Sequence, residues 1–248
     1  IGAFPWCKSR RNLILALNKF LAHFLRQFLW PFLLLIPILG SCAKRTTTNF
    51  SDECLVANSP CLNGTAIVEM TTNRGKLTLE LYGEASPITS GNFLDLINNG
   101  IYEGTVFHRV IKIPAPFVIQ GGDPSSKNPM TLDIDYGKGS FIDPKNGQVR
   151  FIPLEIKLKT DDVPRYNQLI ISPKELSQLQ LVHERGSLAM ARSQNLNSGS
   201  AQFYIALKSL PELDGRYSIF GKVVGGIDVL DRIQEGDVIV QTSILQNN

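Results

Sequence analysis

From Gly64 onward the chain alternates apolar and polar residues in short runs broken by turn residues. The clearest pair is 66–71 and 76–81, which flank Thr72, Asn73, Arg74 and Gly75 and put Leu77, Leu79 and Leu81 on one face. A period of two on either side of a glycine-containing turn predicts a hairpin with one buried face. The period then lengthens to that of a helix. Ile88, Phe93, Leu96 and Ile97 form a stripe, Ser86 and Pro87 suit the N-cap and first-turn positions, and Gly100 ends the run. Further strands are predicted over 105–111, 117–120, 149–156, 186–191, 201–206, 217–224 and 238–244, and a second helix over 227–233 after Gly225 and Gly226. Ser172, Pro173 and Glu175 have capping-box spacing, which predicts a short helix over about 173–182. Residues 157–182 as a whole read as an inserted excursion. Many short strands, two main helices and no internal repeat predict a mainly β domain over 64–248, built as a closed antiparallel barrel.

Alternation also sorts side chains by face. Along 105–111 it groups Phe107, Arg109 and Ile111 against Val106, His108 and Val110. In the same way Val118 pairs with Gln120, and Gln202 with Tyr204, while Phe203 and Ile205 point oppositely. Each of three strands thus carries a hydrogen-bonding side chain beside an apolar one. Convergence of those faces predicts an apolar cup holding one arginine and two glutamines.

The segment before the domain has a different pattern. Residues 28–39, FLWPFLLLIPIL, are an apolar run long enough for a signal-peptide core and short of the ~20 residues that span a bilayer. Basic residues precede it, and Leu39, Gly40, Ser41 and Cys42 resemble a bacterial lipobox. The expectation is a leader over 1–41, lipidation at Cys42, and a Thr-, Ser- and Asn-rich tether over 42–63. This would leave the domain exported and membrane-anchored, on a periplasmic face or in a thylakoid lumen. An uncleaved leader acting as the anchor is the alternative. Cys54 and Cys61 lie in the tether, where an oxidising compartment allows them to close a small disulfide loop. No histidine or second cysteine pair stands near them at ligand spacing, so no metal is expected.

Charge changes the picture once the leader is set aside. The whole chain carries 25 basic and 22 acidic residues, but residues 1–41 hold five basic residues and no acidic ones. The remainder is slightly acidic, which excludes an argument for nucleic-acid binding from charge. No GxSxG motif occurs, and Gly121 and Gly122 read as turn glycines without a phosphate loop around them. Asp123 is expected to organise that turn, His108 to pack in the core, and His183 to be a surface or capping residue.

An apolar cup with a fixed arginine suits one reaction. Rotation about an X-Pro peptide bond has a barrier of ~20 kcal/mol because amide resonance must break. In the twisted state the proline nitrogen regains a lone pair, and a donor aimed at it stabilises that state above either planar one. Arginine stays charged and donates in a rigid fork. Glutamines can hold the neighbouring carbonyl while the apolar wall receives the ring, with no nucleophile, base or cofactor required.

The motifs FHRVI, PFVIQGGDP, GSLAMAR, SAQFYIAL and ELDGRYSIFGKV, in that order over about 66–245, resemble the cyclophilin family of peptidyl-prolyl isomerases. The resemblance implies a closed eight-stranded barrel capped by two helices, a monomer, and proline-containing polypeptides as substrates. It implies Arg109 as the catalytic residue. Phe117, Val118, Gln120, Ala191, Arg192, Gln202, Tyr204, Leu213 and Tyr217 match the positions that bind substrate. The chain departs from the family pattern at Glu212, where a tryptophan is frequent, at Tyr217, where a histidine is common, and in residues 111–116, about three residues longer than usual. A module that grips proline segments with little turnover is the alternative function.

Overall fold

β1 (Thr65–Thr72) and β2 (Gly75–Tyr82) form the hairpin that the alternation predicts, with Val68 opposite Leu79 and Met70 opposite Leu77, all fully buried. The computed structural model describes residue 54 and residues 59–247, so the predicted leader (1–41), Cys42 and most of the tether lie outside the described residues. Cys54 and Cys61 are joined in a disulfide, and Leu62 packs into the domain core with its N–H on the Pro87 carbonyl at 3.0 Å. Among the described residues no helix is long and apolar enough to cross a membrane.

The hairpin is followed by helix α1 (Pro87–Asn98), whose Ile88, Phe93 and Leu96 face the core. Ser86 stands at its N-cap but makes no cap bond; its hydroxyl donates to the Ile219 carbonyl instead. The free amides of Ile88 and Thr89 donate to the carboxylate of Glu155, a residue 66 positions away from Thr89 and 1% exposed. A buried acid from a neighbouring strand therefore does the capping that sequence spacing assigns to a local serine.

The remaining strands are short: β3 (Arg109–Val110), β4 (Val118–Gly121), β5 (Ile142–Asp143), β6 (Gln148–Val149), β7 (Glu155–Ile156), β8 (Arg165–Tyr166), β9 (Ser187–Met190) and β10 (Phe203–Ala206). Then come β11 (Ile219–Gly225) and β12 (Ile239–Asn247). Eight of the strands make one antiparallel sheet in the order β12-β1-β2-β11-β9-β10-β4-β3. The sheet is curled but open, which corrects the closed barrel. β3 is only two residues long, and residues 105–108 leave strand geometry before it. They meet the approach to β12 at the single bridge Val106–Val238 and a few backbone bonds, such as Phe107 N–H to the Asp237 carbonyl at 2.8 Å. The predicted strand over 149–156 is broken likewise into β6, an isolated bridge at Ile152 and β7, with Pro153 supplying no N–H between them.

The concave face of the sheet and α1 enclose an aromatic core in which Phe93 lies 4.8–5.5 Å from the rings of Tyr102, Phe203 and Phe220. A second, smaller cluster of Val118, Ala189, Tyr204, Ala206, Leu210 and Ile219 lies on the other face. Of the two main helices predicted, α1 is complete, while the second is one turn, α3 (Val229–Arg232). Between them in sequence lies the single turn α2 (Pro173–Leu176).

The 157–182 excursion is ordered around its own apolar cluster of Leu154, Ile156, Leu158, Ile170 and Leu179. Its capping box is not made, because Glu175 accepts from Arg165 Nη1 at 2.6 Å rather than turning back to Ser172. The excursion docks through Ile170 N–H on the Gly215 carbonyl at 2.8 Å. Gly215 has φ +70°, and a Cβ there would lie 2.1 Å from the Ile170 oxygen, so both conformation and space require glycine.

Burial lifts the Glu155 carboxyl to about 7, against the three bonds it accepts from Thr89 and Ile88, which favour the ionised form. Its folded pKa exceeds the unfolded value of 4.5, so the native state keeps a proton that the unfolded chain releases between those pH values. Stability therefore declines as pH rises across that window, by about 3 kcal/mol. Denaturant unfolding of wild type and Glu155→Gln at pH 4.5 and 7.5 is expected to show this decline in the wild type and its loss in the variant.

Candidate active site

Strand register assembles the site. Arg109 pairs with Gln120, Gln120 with Tyr204, Tyr204 with Ala189, and Ala189 with Ile219, a continuous row across β3, β4, β10, β9 and β11. Ile119, Phe203 and Ile205 alternate into the aromatic core, leaving Val118, Gln120, Gln202 and Tyr204 on the convex side. One face assignment fails. Phe107 is fully buried in the aromatic core and Val110 packs against that core, whereas Arg109 is exposed at the site. Regular pleating does not begin until Arg109, so counting alternation from Phe107 gives the wrong face.

Arg109 Nη1 donates to Gln120 Oε1 at 3.3 Å, Gln120 Nε2 donates to Gln202 Oε1 at 3.2 Å, and Gln202 Nε2 donates to the Gly139 carbonyl at 2.7 Å. The direction of donation is the same at every step. The chain ends on a loop held by the buried carboxylate of Asp123, which accepts from the N–H groups of Ser125, Gly137 and Gly139 at 2.6–3.1 Å and from the Ser125 hydroxyl. Gly139 has no room for a side chain, since a Cβ would stand 2.0 Å from Asp123 Oδ1. Arg109 has no carboxylate within ion-pair distance among the described residues, so its other N–H groups are free to meet a ligand.

In front of the guanidinium is a hollow of about 320 Å³ lined by Arg109, Phe117, Val118, Gln120, Ala191, Arg192, Tyr204, Leu213 and Tyr217. Gln202 lies behind Gln120 and lines an adjoining groove of about 330 Å³ together with Ser140, Phe151, Ser193 and Ser198. Arg192 stands at the wall between the two. Its Nε and Nη2 donate to the Arg216 carbonyl, and its guanidinium lies 4.7 Å over the Tyr217 ring. The 111–116 loop, expected to be longer than the family pattern, leaves this geometry in place. Ile111 N–H bonds the Val118 carbonyl and Phe117 N–H bonds the Ile111 carbonyl, both at 2.9 Å, so residues 112–116 bulge from a closed base. Lys112 ties the bulge to the carbonyls of Asp231 and Ile233.

His183 is fully buried, not a surface or capping residue. Its Nδ1 lies 2.7 Å from Asp214 Oδ1 and its Nε2 2.8 Å from the Tyr204 hydroxyl, partners 31 and 21 positions away that local pattern does not reveal. His108 is half-buried beside Gly137, and burial lowers its pKa below the usual 6.5. Among the described residues no group of three or more His, Cys, Asp or Glu is arranged to hold a metal ion.

The family model described as cyclophilin type peptidyl-prolyl cis-trans isomerase matches residues 67–247. A Synechocystis protein, whose name assigns it provisionally to the thylakoid lumen as a peptidyl-prolyl cis-trans isomerase, is 37% identical over 199 residues. The match covers 76% of this chain and 49% of the relative, so the chain spans about half of that protein's length. A Helicobacter pylori peptidyl-prolyl cis-trans isomerase is 33% identical, with 71% of this chain and 85% of the relative covered. Among solved structures, a Cryptosporidium parvum cyclophilin-type isomerase crystallised in the presence of the dipeptide Ala-Pro matches with TM-score 0.52 and 30% identity, over 73% of this chain and 99% of its own.

Asp123→Ala removes the acceptor for three backbone N–H groups and a hydroxyl, and with it the support of the Gly139 carbonyl that anchors Gln202. The expected cost is about 2–4 kcal/mol in urea unfolding, with a further loss of peptide affinity beyond what the stability change explains.

Proposed function

The chain belongs to the cyclophilin-type peptidyl-prolyl cis-trans isomerase family, and on that premise we propose that it accelerates rotation about X-Pro bonds in polypeptides, with Arg109 as the catalytic residue. The proline ring enters the hollow against Phe117, Val118, Leu213 and the rings of Tyr204 and Tyr217. Arg109 stands at the mouth with N–H groups that no acceptor among the described residues uses. As the bond twists, the prolyl nitrogen becomes pyramidal and acquires a lone pair, and the guanidinium donates to it. The planar cis and trans forms offer no such lone pair, so the contact lowers the barrier more than it deepens either ground state. Gln120 fixes the guanidinium at one nitrogen and leaves the others free, and Gln202 fixes Gln120. Arg192 and Ala191 border the hollow where the polypeptide backbone would continue into the adjoining groove. No bond forms or breaks, so no acid, base or cofactor takes part.

The free donors of Arg109, facing a hollow walled by Phe117, Val118, Leu213 and two tyrosine rings, carry this reading. The Cryptosporidium relative crystallised in the presence of Ala-Pro supports proline-containing substrates. Export, with anchoring through an acylated Cys42, forms the second part of the proposal. Its supports are the leader pattern, the disulfide between Cys54 and Cys61, which suits an oxidising compartment, and the lumenal assignment in the Synechocystis relative's name.

Isomerisation of a proline peptide, followed by NMR exchange, is expected to slow by about 10²–10³ in Arg109→Ala, the range seen when one transition-state donor is removed. Equal background rates in both proteins would leave only a binding module. Because a guanidinium does not titrate in this range, the wild-type rate is expected to be flat between about pH 7 and 8; a bell-shaped profile there contradicts the mechanism. Mass spectrometry of the mature N-terminus is expected to find acylated Cys42, and an unmodified N-terminus upstream of it refutes the anchor.

A further inference from the structure

Tyr204 gives its ring to the hollow, but its hydroxyl is occupied elsewhere. The phenol is 2.8 Å from Nε2 of His183, a residue with no exposed surface that does not line the hollow. The two rings are nearly parallel, at 7°, with centroids 5.9 Å apart. On the other side, Asp214 Oδ1 accepts from both the backbone N–H and Nδ1 of His183, each at 2.7 Å. An ionised carboxylate only accepts, so the proton of the neutral imidazole sits on Nδ1, and Nε2 is left to accept from the Tyr204 hydroxyl. Donation thus runs from Tyr204 to His183 to Asp214. It joins β10, the segment before β9 and the turn that carries Leu213, a fixed unit further tied by Leu210 N–H on the His183 carbonyl at 3.0 Å.

We propose that His183 and Asp214 are positioning residues which hold the Tyr204 ring as the floor of the hollow, and that protonation of His183 loosens this floor and weakens binding of proline segments. The inference rests on the reading of the hollow as the proline site. When His183 takes a second proton, Nε2 becomes a donor and points at a hydroxyl that was donating to it. The Tyr204 proton must then turn away from His183, on a face where Val118, Ala206, Leu210 and Ile219 offer no acceptor and the Tyr217 ring packs edge-on. The ring has lost its tether or sits beside an unsatisfied buried proton, and either outcome costs the hollow its fixed shape.

The charged groups facing this unit favour that protonation only in part. Burial lowers the His183 pKa below 6.5, opposed by the hydrogen bond and charge of Asp214 and by the charge of Glu212. Tyr204 itself stays neutral, its pKa pushed well above 10 by burial, with Tyr217 and Asp214 raising it and Arg192 opposing. The switch therefore acts in acid, outside the flat range set by Arg109.

The test compares wild type, Tyr204→Phe, His183→Leu and His183→Gln in isomerase assays from about pH 5 to 8. At pH 7.5 Tyr204→Phe and His183→Leu are expected to raise KM about threefold to tenfold, the loss of one neutral hydrogen bond, with a smaller change in kcat. His183→Gln, whose amide oxygen can accept the hydroxyl proton, recovers most of that loss. The wild-type kcat/KM falls in acid, and this limb is absent in His183→Gln, which does not titrate. Thermal melts show which variants are folded, and the Gln variant alone decides the matter if the others are not. An acid limb of equal size in wild type and His183→Gln, or an unchanged KM in folded Tyr204→Phe, overturns the proposal. Were the wild type to show no turnover, the isomerase reading would fail separately. The same pH series is then read as the calorimetric Kd of an Ala-Pro-containing peptide: a Kd that weakens in acid in wild type alone supports the inference, and equal responses refute it.

Discussion

The guanidinium of Arg109 is held by an amide, and the chemistry proposed for the site depends on that choice. A carboxylate partner would neutralise the charge and, in bidentate geometry, take two donors. Gln120 takes one, at 3.3 Å, and passes the hydrogen-bond demand to Gln202 and the Gly139 carbonyl. The carboxylate at the far end of this relay is Asp123, four hydrogen bonds away and reached through the Gly139 peptide. The charge at the mouth is oriented without being satisfied. That is the state required of a donor whose acceptor appears only when a peptide bond twists.

The fold makes this possible by placing Arg109 on β3, at the open edge of the sheet. A guanidinium in the interior of a closed barrel would need a buried partner, whereas the convex side of an edge strand leaves it solvated until a ligand arrives. β4 and β10, with longer runs and fully buried Ile119, Phe203 and Ile205, hold Gln120 and Tyr204 in register, with Gln202 one residue ahead of β10. Rigidity comes from the inner face and chemistry from the outer one. The excursion supports the far rim in the same manner, by fixing Gly215 two residues beyond Leu213, where Asp214 also binds His183.

Much of this is written locally in the sequence. The leucines at 77, 79 and 81 announce their strand, and Gln202 with Tyr204 announces the outer face of β10, because period-two burial is a property of neighbours in the chain. The features hidden from the sequence are those set by distant partners. Ser86 looks like an N-cap, yet Glu155 takes that place from another strand. His183 looks peripheral, yet Asp214 and Tyr204 enclose it. Barrel closure fails for a related reason. It depends on how many residues of 105–111 keep strand geometry, and only Arg109 and Val110 do. The same irregularity separates Phe107 from Arg109, which a strict alternation would join.

Catalysis by Arg109 requires the prolyl nitrogen to come to the free side of its guanidinium. A crystal structure of the domain with an Ala-Pro-containing peptide measures this directly. The proline ring is expected against Phe117, Val118 and Leu213, with an Arg109 nitrogen within about 3.5 Å of the prolyl nitrogen and the Gln120 bond intact. A proline seated outside this hollow, or an Arg109 turned away to another partner, would contradict it.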